Sequence, residues 1–106
     1  MSDDRQVFSV TVTEDGTLVL SGELDAVTVS DLNEAFALPN GARHVKLDLT
    51  NLTFIDSTGL HVLVAYVESR EPDGTVELAG VSPHVQRVFE ITGLTEHPKV
   101  RINGAA

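Results

Sequence analysis

The segment richest in chemistry is Phe54-Ile55-Asp56-Ser57-Thr58-Gly59-Leu60. Two adjacent hydroxyls, Ser57 and Thr58, follow a carboxylate and precede a glycine. Strand-like apolar residues lead into the segment, and residues with helical period lead out of it. The hydroxyls therefore sit where a strand gives way to a helix. In open α/β sheets that edge is where ligand sites gather. The first N–H groups of a helix point outward there and favour negative charge. The plainest reading is capping: Asp56 or Ser57 accepts a bond from a first-turn N–H, and Gly59 allows close packing.

Ser57 and His61 are four residues apart, with Asp25 or Asp56 as a third group, and this spacing mimics a nucleophile–base pair. The chain lacks a Gly-x-Ser-x-Gly elbow, and so short a chain has little room for a substrate pocket. A binding module is expected rather than an enzyme. No cysteine is present, which removes thiol catalysis and thiolate metal sites. His44, His61, His84 and His97 are far apart and none has HExxH spacing. With no P-loop and no GxGxxG, neither metal nor cofactor is expected.

The elements that must position this segment follow from periodicity. Val7, Ser9, Thr11 and Thr13 alternate with Phe8, Val10 and Val12, then Glu14-Asp15-Gly16 turns the chain into Thr17–Ser21. This predicts a hairpin from Val7 to Gly22. Val29, Leu32 and Phe36 repeat with helical spacing, predicting a helix from Asp25 to Leu38, capped by Asp25 or Thr28 and ended by Pro39-Asn40-Gly41. Val45, Leu47 and Leu49 alternate as a strand, followed by a buried stretch from Asn51 to Ile55. A helix is predicted from Thr58 to Ser69. Its stripe is Leu60, Leu63, Val64 and Val67, and Val62, Ala65 and Tyr66 widen the apolar surface. Thr75–Ala79 reads as a strand. Ser82-Pro83 starts a helix whose inward stripe is Val85, Val88, Phe89 and Thr92, with Gly93 at its end. Val100–Ile102 is a short last strand, and a loose tail from Gly104 to Ala106 is expected. A hairpin followed by strand–helix alternation means an α/β domain with a mixed sheet.

The chain has 106 residues, which fits one domain spanning 1–106 with a core at about 7–102. Apolar residues make up 42%, enough for a core without disulfides or metals. Sixteen acidic side chains against seven basic ones give a charge of -9. The bases are scattered singly, so nucleic acid is not an expected partner. The same charge disfavours anionic membranes, and the longest apolar run is too short to span a bilayer. The polar, acidic start Met1-Ser2-Asp3-Asp4 is no signal peptide. A soluble, cytoplasmic, monomeric protein is expected.

Ser21-Gly22-Glu23-Leu24-Asp25, the Leu47-Asp48-Leu49 strand and Phe54-Ile55-Asp56-Ser57-Thr58-Gly59-Leu60 resemble the STAS domain family. The likeness is greatest to single-domain bacterial anti-sigma factor antagonists of sporulation and general stress responses, and runs from about Val7 to Val100. The resemblance implies that an anti-sigma factor with serine kinase activity phosphorylates the hydroxyl directly after the aspartate. That hydroxyl is Ser57, with Thr58 the lesser candidate. It also implies that the unphosphorylated antagonist binds the anti-sigma factor and frees a sigma factor, and that a PP2C-type phosphatase resets the switch. Asp25 resembles a family position near the modified hydroxyl, and helix capping explains it equally well. Glu23, Asp56, Thr58, Gly59, His61 and Val62 complete the expected partner-binding surface. His61 departs from the small residue of the family pattern. The rival implied by the same resemblance is a STAS subunit of a lipid-transport ATPase complex, or of a stress-signalling assembly without a phospho-switch.

Overall fold

The computed structural model describes residues 8–37 and 43–103. Val7, Leu38, the Pro39-Asn40-Gly41 helix stop and the tail from Gly104 lie outside the described residues. The order is β1 (Ser9–Val12), β2 (Leu18–Leu24), α1 (Val29–Ala37), β3 (His44–Ile55), α2 (Ser57–Ser69), β4 (Thr75–Ala79), α3 (Pro83–Thr92), a short 3-10 turn and β5 (Val100–Asn103). The five strands form one sheet in the order β1-β2-β3-β4-β5. β1 and β2 are antiparallel, and every other neighbouring pair is parallel. This is the mixed α/β fold expected from the hairpin and the alternation.

Strands laid down in sequence order, joined by right-handed crossovers, put all three helices on one face of the sheet. Burial agrees. Leu18, Leu20, Leu24, Val45, Leu47 and Leu49 are buried, while their neighbours Glu23, Lys46 and Thr50 face outward and are exposed. The helices seal the apolar face with Leu32, Leu63, Val67, Val85 and Phe89. Phe36 of α1 and Tyr66 of α2 stack with centroids 3.8 Å apart and planes 11° from parallel. Burial pushes the Tyr66 phenol up from its ordinary pKa, with Arg70 opposing it.

Several boundaries differ from the periodic reading. β2 runs on to Leu24, beyond the expected hairpin end at Gly22, because its last residues pair with β3. Val12, which alternates in step with the buried Phe8, is exposed at the end of its short edge strand. α1 begins at Val29, not Asp25. Asp25 nevertheless caps the entry to it, as expected: its carboxylate accepts from Val27 N at 3.0 Å and Thr28 N at 3.1 Å and its carbonyl from Val29 N at 2.9 Å, while the Thr28 hydroxyl donates to Glu23 O at 2.7 Å. α2 begins one residue early, at Ser57. Ala65 stays exposed, while Tyr66 is covered by α1. Thr92 is exposed, and its hydroxyl turns back to Phe89 O at 3.0 Å.

The largest departure is β3. Asn51–Ile55 is no separate buried stretch but the second half of one 12-residue strand. The register with β2 runs Val19↔Asp48, then Ser21↔Asn51, and Gly22↔Leu52, then Glu23↔Phe54. In each of these two places β3 carries one residue more than β2, which is the signature of a β-bulge. Leu52 and Ile55 therefore point inward, while Asn51, Thr53 and Phe54 are exposed. The first bulge is held by Asp48, whose carboxylate accepts from Thr50 N at 3.0 Å and from the Thr50 hydroxyl at 2.7 Å. These two bonds lower the Asp48 pKa, the hydroxyl contributing most.

Candidate functional site

The corner between β3 and α2 is built on a cap. Asp56 has extended backbone, φ -106° and ψ -175°, and its carboxylate accepts from Gly59 N at 3.0 Å. Its carbonyl accepts the first helical bond, from Leu60 N at 2.9 Å. This satisfies one of the donors a helix start leaves open. The Asp56 N–H donates in turn to Leu24 O at 3.1 Å, so the corner is tied to the end of β2.

That tie explains Gly59. It is buried, and a Cβ there would lie 2.6 Å from Leu24 Cγ and 3.1 Å from Leu24 O. Only a hydrogen fits between the first turn of α2 and β2. The close packing expected at this glycine is packing against Leu24.

Ser57 and Thr58 are the first two residues of α2, and both are exposed. Their hydroxyls stand at the positive end of the helix dipole, which favours added negative charge by about 0.3–1 kcal/mol. His61, one turn on, is also exposed. Val62 is half-buried against the core. Glu23 pairs in register with Phe54, and Leu24 with Ile55, so Glu23 and Asp25 share the edge that carries Asp56 and Ser57. Within it the roles divide. Asp56 and Gly59 shape the backbone, and Asp25 organises the turn between β2 and α1, while Ser57, Thr58, His61 and Glu23 face outward.

Two apolar side chains on this edge escaped the sequence reading. Val27, in the turn after Asp25, is 84% exposed, and Phe54, two residues before Asp56, is 41% exposed. Phe54 was expected inside; the second bulge turns it outward together with Thr53. The signal available for Val27 was an apolar residue off the Val29, Leu32 and Phe36 stripe of the predicted helix.

The edge is anionic. No Lys or Arg occurs in residues 8–37 or 47–69, the segments that build it. At the opposite edge, where β3 begins and α2 ends, Arg43 pairs with Asp73, and Lys99 Nζ donates to Arg70 O at 2.6 Å. Among the described residues no group of three His, Cys, Asp or Glu side chains is placed to hold a metal, and no helix is long and apolar enough to cross a membrane.

Comparison with known proteins agrees with this geometry. A family model described as "Mlab, STAS domain" matches residues 9–102. The anti-sigma-B factor antagonist of Staphylococcus aureus is 36% identical over 80 residues, covering 73% of this chain and 74% of that one. An anti-sigma factor antagonist from Mycobacterium paratuberculosis superposes with a TM-score of 0.76 at 23% identity, over 94% of this chain and 88% of that one. Two structures of SpoIIAA share the fold. The anti-sigma factor antagonist in its unphosphorylated form has a TM-score of 0.67 at 20% identity, over 94% and 90% of the two chains. The Bacillus cell fate determinant in its phosphorylated form has a TM-score of 0.64 at 22% identity, over 91% and 90%. With nearly its whole length inside the family model and the Asp-Ser-Thr-Gly corner seated at the sheet edge, this chain belongs to the STAS domain family.

Proposed function

We propose that this chain is an anti-sigma factor antagonist that works as a phospho-switchable binding module in the cytoplasm, and not as an enzyme. In the unphosphorylated state its acidic edge binds an anti-sigma factor that is also a serine kinase, and a sigma factor is released. The kinase then transfers a phosphoryl group from ATP to Ser57. An Oγ–P bond forms, the bond to the ADP oxygen breaks, and the hydroxyl proton leaves to a base on the kinase. A PP2C-type phosphatase hydrolyses the phosphate and restores binding.

The observation that carries this reading is the placement of Ser57: an exposed hydroxyl on the first residue of a helix whose start is fixed by the Asp56 cap and the Leu24–Gly59 contact. The kinase can reach the hydroxyl, and its position does not depend on a mobile loop. Phosphorylation adds about -1.5 to -2 charges. The helix dipole offsets part of that cost, so the fold tolerates it. A partner surface fitted to a neutral hydroxyl does not. Losing such a buried polar contact costs about 2–5 kcal/mol of affinity, or about thirty- to several-thousand-fold. The relatives' names support the assignment, and the fold is known in both phosphorylated and unphosphorylated forms.

Supporting roles follow the geometry. Glu23, Thr58 and His61 contact the partner alongside Ser57, with Val27 and Phe54 as apolar anchors. Asp25, Asp56, Gly59 and Val62 hold the surface in shape. Thr58, the next exposed hydroxyl, is the second-choice acceptor.

The test is affinity capture from host lysate with wild-type, Ser57→Ala and Ser57→Asp baits, read by mass spectrometry. An ATPase-type anti-sigma factor held by wild type and by Ala, and lost with Asp, supports the switch. The family model's description names Mlab, and the rival outcome is a set of transporter subunits held equally by all three baits. That result refutes the antagonist reading and leaves the fold untouched.

A further inference from the structure

Ser57 and His61 lie one turn apart on α2, and both are exposed. Residues four apart on a helix are surface neighbours, with Cβ atoms about 5–6 Å from each other. Helical side chains lean toward the N-terminus, so the imidazole leans back over the turn that carries Ser57.

The surroundings make this residue distinctive. Asp56 stands on the same corner, and Glu23 and Asp25 at the end of β2. α1 meets α2 through Asn33, Phe36 and Ala37, none of them charged, while its acids Asp31 and Glu34 line the other side of that helix with Phe8 and Val10. The charged residues of β3 (Lys46 and Asp48, with His44) belong to its first half, away from the corner. α2 itself holds no Lys or Arg, and its own acid, Glu68, is in the last turn. His61 is therefore the one side chain in these segments that can bring a positive charge to the Ser57 hydroxyl.

We propose that His61 is the phosphate-pairing residue of the switch: when Ser57 carries a phosphate, the imidazolium one turn downstream donates an N–H to a phosphate oxygen. This rests on the reading of Ser57 as the modified hydroxyl and deepens it. The pair holds the phosphate along the surface of α2 and neutralises part of its charge in a field that is otherwise acidic. The second phosphate proton is lost near neutrality, at about 6. The charge shown by the phosphorylated form therefore varies with pH around that value.

The experiment installs phosphoserine at position 57 during synthesis of the full chain and follows the phosphate by phosphorus NMR against pH. Wild type, His61→Gln and His61→Lys are compared. From the strength of helical ion pairs, the second ionisation in wild type should fall about 0.15–0.4 pH unit below that of His61→Gln. His61→Lys should restore the lowered value, and 1 M salt should shrink the difference. Coincident titrations of wild type and His61→Gln at low salt would overturn the proposal. Because the phosphate is placed without a kinase, the result does not depend on the partner. Failure of the partner kinase to modify Ser57 would count against the switch reading alone.

Discussion

Replacing Gly59 by alanine probes the contact on which the whole corner rests. Gly→Ala within an ordinary helix stabilises by about 1 kcal/mol through propensity. Here the sign should reverse. The new methyl would sit 2.6 Å from Leu24 Cγ, 2.9 Å from Cδ2 and 3.1 Å from the Leu24 carbonyl oxygen. Leu24 is fully buried, so its side chain has no room to swing aside, and the carbonyl is already engaged by Asp56 N–H. The first turn of α2 must move away from β2. Overpacking of this kind costs about 1–3 kcal/mol, and loosening the Asp56 cap costs about 1 kcal/mol more. After the propensity gain, a net loss of about 1–3 kcal/mol remains, or a fall of about 5–20 °C in Tm for a domain of this size. Thermal and urea unfolding followed by circular dichroism measure it. A double-mutant cycle with Leu24→Ala sharpens the attribution. Leu24→Ala alone opens a cavity, but it also removes the two closest carbons, so the pair should be less damaging than the sum of the singles by about 1 kcal/mol or more. A Gly59→Ala protein as stable as wild type, or additive single effects, would refute the argument.

Other expectations follow from the same structure. Thr28→Val removes a hydroxyl that accepts from Asp25 N at 3.0 Å and donates to Glu23 O at 2.7 Å. A loss of about 1–2 kcal/mol in urea titration is expected. Lys99→Met removes the cation that closes the C-terminus of α2 through Arg70 O, and should cost about 0.3–1 kcal/mol, less in high salt. Asp15, at the hairpin turn, is held at a pKa of about 2 against an ordinary 3.8, by the Thr13 hydroxyl first and the Thr17 N–H second. A carboxylate depressed in the folded state adds stability that is fully present above the unfolded value and is lost as pH falls from there through about 2. Carbon-detected NMR titration should find that low value in wild type and a return toward 3.8 in Thr13→Val.

The sequence was legible where one local rule decided the outcome. Ser82-Pro83 and Gly93 bounded α3 because a cap, a fixed φ and a left-handed C-terminal residue each act within a few residues. Asp56 and Gly59 declared their capping and packing roles for the same reason. What stayed hidden depended on distant pairing. The period-2 rule fails across Thr50-Asn51 and Thr53-Phe54 because the face each residue takes is set by β2, not by its own neighbours. The Asp25 cap is where its residue type puts it, but regular helix starts only at Val29, because the Thr28 hydroxyl accepts from Asp25 N and donates to Glu23 O and so holds the intervening residues in a turn. Tyr66 looked like a widened outer face until Phe36 supplied the ring that covers it. The role of Ser57 came from the resemblance, and its exposed place on the helix start is what the fold adds.

The two extra residues of β3 also make the aim of the corner adjustable. Past Asp48 the strand no longer pairs with β4, so each bulge bends it against β2 alone. Removing Thr53 would leave Gly22 opposite Leu52, Glu23 opposite Phe54 and Leu24 opposite Ile55, an unbroken ladder with every side chain on its present face. Removing Thr50 would do the same one step earlier. Single-codon deletions at these positions would thus escape the inversion that a one-residue slip normally inflicts on a strand. What they would change is twist, and with it the direction in which Asp56 and Ser57 are presented. Variation in strand length at these points is a way to re-point the contact surface toward a different partner while the core stays as it is.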